Sequence, residues 1–129
     1  MTYAAMAFAI LAAILHVYIW TMESLTWKQP NTWKRFGLES QEEAEITSPM
    51  AYNQGFYNLF LAVGVIVGAV LILTDKETVG WSLVVFGCAT MLLAAVVLVS
   101  TGWKYLQAAI TQGILPFFAL LFAALSTIS

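Results

Sequence analysis

The chain of 129 residues has room for one domain, and with 61% of its residues hydrophobic and 9% charged it excludes an ordinary water-soluble globule and has the composition of a membrane protein. Five basic residues against seven acidic ones, net charge −2, provide no positive stripe for a polyphosphate backbone and exclude nucleic acid as a partner. A single cysteine, Cys88, in an apolar run supplies neither a disulfide framework nor a thiolate metal site.

The first predicted span covers residues 3–22, close to the twenty or so apolar residues that a hydrocarbon core requires as helix, with His16 as its polar interruption. No basic residue precedes the run and it is too long for the apolar part of a secretory signal, so a retained span is expected. Ala5, Ala9, Ala12, His16, Ile19 and Glu23 recur at alternating spacings of four and three. That rhythm makes one seam of mostly small residues and predicts that His16 packs inward.

Residues 23–52 form the one long connection, placed in water or at the headgroups by Lys28, Lys34 and Arg35 together with Glu39, Glu42, Glu43 and Glu45. Ser40 and Glu43 have capping-box spacing, which predicts a short interfacial helix from Gln41 toward Ile46, and Ser48 with Pro49 offers a fresh start for the next span. Trp27, Trp33 and Phe36 suit a segment lying against the interface.

The second span is expected over residues 50–73, ahead of a polar turn at Asp75, Lys76 and Glu77. Gly64 and Gly68 make a G-x-x-x-G pair for close backbone approach, and Tyr57, seven residues before Gly64, is expected to face the same neighbour. Span three, 79–101, places Gly80, Gly87, Ala94 and Thr101 at intervals of seven. Span four, 105–128, does the same with Tyr105, Gln112, Ala119 and Ser126. Short turns force antiparallel neighbours, so the expected fold is an all-α, left-handed, four-helix antiparallel bundle in the membrane, forming a single domain over 1–129.

Lys28, Lys34, Arg35 and Lys104 lie on the side of the long connection and only Lys76 lies opposite. The positive-inside rule therefore predicts a cytoplasmic connection and both termini outside, in a plasma (inner) membrane. Most polar span residues cluster on that same side. His16 lies about 10 Å along its helix from Glu23, and Asn58 and Gln112 roughly 8–10 Å inside their helix starts. With Asn53, Gln54, Tyr57, Ser100, Thr101 and Gln107 they describe a polar cup above a sealed hydrocarbon floor around Ile10, Ile72, Val84 and Leu121.

His16 seven residues ahead of Glu23, Trp27, the Phe36-Gly37 pair, the run Asn53-Gln54-Gly55-Phe56-Tyr57-Asn58, and Gln112-Gly113 with Pro116 together carry a resemblance over nearly the whole chain. The sequence resembles a family of small bacterial integral membrane proteins known as a domain of unknown function, of the 1304 type. That resemblance implies a four-span membrane protein and transfers no chemistry.

From the residues themselves, His16 is a candidate proton acceptor or donor, and the competing reading is that its ring nitrogens bond Asn58 or Gln112 to set helix register. Glu23 is either solvated at the membrane surface or a carboxylate at the rim of the cup, paired with Lys28 or Lys104. Asn53 with Tyr57, and Gln54 with Asn58, form two stripes four residues apart, expected to contact a ligand together with His16 and Gln112. Pro116 cannot donate to the Gln112 carbonyl, which predicts a kink and a free acceptor. No metal site and no cofactor are expected, because no second histidine or usable thiolate supports His16 and Glu23. Three function classes follow: a binder of a small amphiphilic or lipid-like ligand, with or without catalysis by His16 and Glu23; a small permease, which would require a homo-oligomer to build a path; and an accessory subunit whose polar cluster only specifies helix packing.

Overall fold

The computed structural model of the protein describes residues 1–128, and among these there is no strand. Five helices form: α1 (Thr2–Trp20), α2 (Pro30–Trp33), α3 (Gln41–Ile72), α4 (Glu77–Ser100) and α5 (Leu106–Ile128). A π-helical turn, Thr21–Leu25, prolongs α1, and 3-10 turns at Lys34–Phe36 and Trp103–Tyr105 follow α2 and precede α5. Four segments are long and apolar enough to cross a bilayer: Thr2–Leu25, Gln41–Ile72, Glu77–Ser100 and Trp103–Ile128. The chain is thus an all-α four-helix membrane bundle.

Each long helix packs on two neighbours in the cyclic order α1, α3, α4, α5, and the diagonal pair α1 and α4 barely touches. Small residues on the inner faces bring the backbones together. On α1 the whole seam of Ala5, Ala9, Ala12, His16, Ile19 and Glu23 is buried. Between α3 and α4 the close approach is made by Gly68 and Gly80, because a Cβ on Gly80 would sit 2.6 Å from the Gly68 carbonyl oxygen. Gly87 packs on Val65 in the same interface.

The expected pairing of Gly64 with Gly68 is corrected, since nothing lies within 4 Å of a Cβ placed on Gly64 and Tyr57 is exposed. Residues four apart on a helix differ by about 40° around the axis, enough for one to meet a neighbour and the other to miss it. The strict sevens on α4 fail for the same kind of reason. Gly80 and Gly87 are buried, Ala94 and Thr101 are exposed, and Ala95 takes over the inner position, because 3.6 residues per turn drift away from a repeat of seven.

The long connection is a folded cap rather than a strip laid on the interface. Trp27 and Trp33 are buried with Ala44 and Ala51, and Phe36 and Leu38 pack against them. Both indoles are satisfied: Trp27 Nε1 donates to Thr47 Oγ1 at 3.1 Å and Trp33 Nε1 to Gln41 Oε1 at 2.9 Å. The cap has something to pack on because α3 does not stop at Pro49. At 32 residues α3 is about 48 Å long, against a core of about 30 Å, so its first turns stand clear of the hydrocarbon. The expected break between a short helix and the second span is therefore corrected to one helix. Pro49 removes only the bond to the Glu45 carbonyl, at a level where both residues are exposed, and packing of Ala44 and Ala51 holds the helix on either side. The helix starts where the capping spacing indicates: Glu43 N donates to Ser40 Oγ at 3.1 Å, while Glu43 Oε2 accepts from Glu39 N rather than from Ser40.

Candidate functional site

The polar residues at the connection end divide around α1 into two groups. On the α3 side the π turn sends two successive side chains, Glu23 and Ser24, toward the same neighbour. Asn58 Nδ2 donates to Glu23 Oε1 at 2.6 Å, and Ser24 Oγ donates to the Tyr52 carbonyl at 2.8 Å. Gly55 permits this contact, because a Cβ there would run into Ser24 Oγ and come within 3.1 Å of the Ser24 nitrogen. Glu23 is 4% exposed and is thus neither solvated nor paired with Lys28 or Lys104; among the described residues Asn58 is its hydrogen-bond partner. A carboxyl this deep is expensive without such a partner. Above it, a cavity of about 420 Å³ is bounded by Glu23, Ser24, Lys28, Gln29 and Ser48.

His16 is 2% exposed and bonds its own helix, with Nδ1 2.8 Å from the Ala12 carbonyl oxygen. That geometry assigns the proton to Nδ1. The expected bridge to Asn58 or Gln112 is not formed: the Asn58 amide donates to Glu23 instead, and Gln112 lines the α1–α5 cleft, which His16 does not border. The imidazole is part of the inner face, next in the seam to Ala12 and Ile19, and borders neither cavity.

On the α5 side a cleft of about 500 Å³ opens between α1 and α5. Its wall is two-toned. Leu15, Ile19, Met22 and Ala108 are apolar, whereas Tyr18, Arg35, Gln107, Thr111 and Gln112 present hydrogen-bonding groups. Arg35, carried by the 3-10 turn after α2, folds back over α1 so that Nη1 donates to the Tyr18 hydroxyl at 2.8 Å. Thr111 Oγ1 is already engaged with the Gln107 carbonyl at 2.9 Å, while the two glutamine amides stand free of side-chain partners among the described residues. Toward the chain termini the same helix pair is closed by Phe8 against Phe118 and Phe122, with ring centroids 5.4 and 5.5 Å apart.

Of the residues singled out in sequence, the structure brings Glu23 and Asn58 together and sets Gln112 in the α1–α5 cleft. His16 is in the core between them. Asn53, Gln54 and Tyr57 point outward from α3 and meet neither cavity. A helix presents one inner stripe, and on α3 it runs through Ala51, Gly55, Ala62 and Val65, which admits Asn58 at its edge and leaves no place for the other three. Arg35, Tyr18, Thr111 and Ser24 were not singled out. Leu15, Tyr18 and Met22 do have helical spacing beside the seam, and Gln107 and Thr111 are four apart, so a second stripe on α1 facing one on α5 was readable. Arg35 was not, because its place depends on how the cap folds back.

The sequence model of the family described as "Protein of unknown function (DUF1304)" matches residues 10–124. No curated protein and no solved structure matches the chain.

Proposed function

We propose, from the premise that this chain belongs to the DUF1304 family and has four helices long and apolar enough to cross a membrane, that it binds a small amphiphile in the cleft between α1 and α5. The observation that carries this reading is the cleft's lining, in which the apolar side chains of Leu15, Ile19, Met22 and Ala108 and the hydrogen-bonding ones of Tyr18, Arg35, Gln107 and Gln112 face one volume that suits a headgroup and the first part of a chain. Closure by Phe8, Phe118 and Phe122 limits how far a tail can follow the helix pair.

A path across the bundle has less support, because Met6, Ala9, Ala12, Ala13, Ala62, Val65 and Met91 fill the centre. On the α3 side the accessory reading has more: Glu23–Asn58 and Ser24–Tyr52 tie two helices together and need no ligand to explain them. In the same reading the connection faces the cytoplasm and both termini lie outside, so the cleft draws on the inner leaflet of the plasma membrane.

Ala108 lies on the apolar wall outside the main core, which makes it the place to test the cleft. Purified protein should carry an amphiphile at near one-to-one ratio in solvent extracts, and Ala108→Phe should remove it while leaving thermal unfolding unchanged. Val97→Phe, on an exposed face of α4, should keep it. An extract with no stoichiometric amphiphile, or the same amount from Ala108→Phe, would sink the reading.

A further inference from the structure

We infer that the hydrogen-bonding groups of the α1–α5 cleft, with Arg35 among them, are built for an anionic phosphate group, so that the amphiphile it takes is a phosphate-bearing one; this rests on the binding reading above. The inference comes from the charges and donors that face the cleft. Among the described residues that line it, Arg35 is the one that carries a charge. Among the described residues the guanidinium forms no ion pair, and its one hydrogen bond goes to a neutral phenol, leaving donors on the fork free.

The acidic residues lie elsewhere. Glu23 is turned to Asn58 on the α3 side, Glu39, Glu42, Glu43 and Glu45 belong to the cap and first turns of α3, and Asp75 and Glu77 lie at the far end of the bundle. The remaining polar groups of the wall can donate: the amides of Gln107 and Gln112 each carry N–H groups beside their carbonyl, and the Tyr18 hydroxyl accepts from Arg35 and retains its own proton to give. Phosphate oxygens accept and do not donate, so one guanidinium fork with two amides and a phenol complements them. An ammonium headgroup would find neither a carboxylate nor an aromatic cage there, and a neutral hydroxyl headgroup would leave the cation uncompensated.

The probes are dioleoylphosphatidylglycerol, dioleoylglycerol with the same tails and no phosphate, and inorganic phosphate, each titrated onto delipidated protein in neutral detergent and read by native mass spectrometry. The expected result is one-to-one binding of the phosphatidylglycerol, about tenfold or more tighter than of the diacylglycerol, the scale of a charge-assisted hydrogen bond. Arg35→Gln should abolish that ratio and Arg35→Lys should retain part of it, with thermal unfolding of both as in the parent.

Equal binding of the two lipids, or a ratio that survives Arg35→Gln, overturns the phosphate inference and leaves the cleft an amphiphile site. Absence of saturable binding by either lipid overturns the cleft reading and this inference with it. Inorganic phosphate binding as tightly as the lipid would sustain the anion chemistry and overturn the requirement for a tail.

Discussion

At the scale of single residues, the contact on which the α1–α3 interface turns is the bond from Asn58 to Glu23. Removing one member of a buried polar pair costs more than the bond itself contributes, because the group left behind stays desolvated. Asn58→Ala should therefore destabilise the bundle by about 1–3 kcal/mol in detergent unfolding, and Glu23→Gln by less, since an amide can still bond Asn58. In the Glu23→Gln background the second substitution should cost less than it does alone, which a double-mutant cycle reads directly. An Asn58→Ala protein as stable as its parent would show that the pair is not coupled. The alternation of fours and threes on α1 made the inward direction of His16 and Glu23 legible in the sequence. What that pattern does not encode is the partner: a ring nitrogen satisfied by its own Ala12 carbonyl has the same sequence signature as one reaching across the bundle.

At the scale of elements, the glycines separate positions that sequence spacing treats alike. A Cβ on Gly80 would meet the Gly68 oxygen and the Ile72 nitrogen at 2.6 Å, and backbone atoms cannot rotate away as a side chain can. Gly80→Ala should push α4 off α3 and lose about 1–3 kcal/mol, whereas Gly64→Ala, facing open space, should be neutral or gain up to about 1 kcal/mol from helix propensity. Unfolding midpoints in the order Gly64→Ala, parent, Gly80→Ala check this, and equal losses at both positions would mean that the α3–α4 crossing is misplaced. Four apolar helices, with short turns after the second and the third, were plain from composition and length. The course of the connection was not, since Trp27 and Trp33 suit a membrane surface and a small core equally well. What decided it was the extra length of α3 through Pro49, and a proline beside a serine reads locally as a helix start.

At the scale of the whole molecule, the up-and-down topology puts every feature discussed for binding at one end. The cap, the Glu23–Asn58 bond and the cleft under Arg35 share that end with Lys28, Lys34 and Lys104, while Lys76 is the basic residue of the turn opposite. If the basic end faces the cytoplasm, the guanidinium stands at the leaflet richest in anionic lipid, where electrostatic attraction raises the local supply of a phosphate headgroup. Orientation and ligand class thus depend on one another, and orientation can be measured without any ligand. Cys88 is buried and is the only cysteine, so Cys88→Ala provides a background without an accessible thiol. In it, Asp75→Cys should react with a membrane-impermeant maleimide on intact cells, and Glu42→Cys only after permeabilisation. The reverse pattern would turn the cleft toward the outer leaflet. A phosphate headgroup would then have to be captured there without the help of the inner surface potential, and the fork of Arg35 would have to supply the whole of the selectivity.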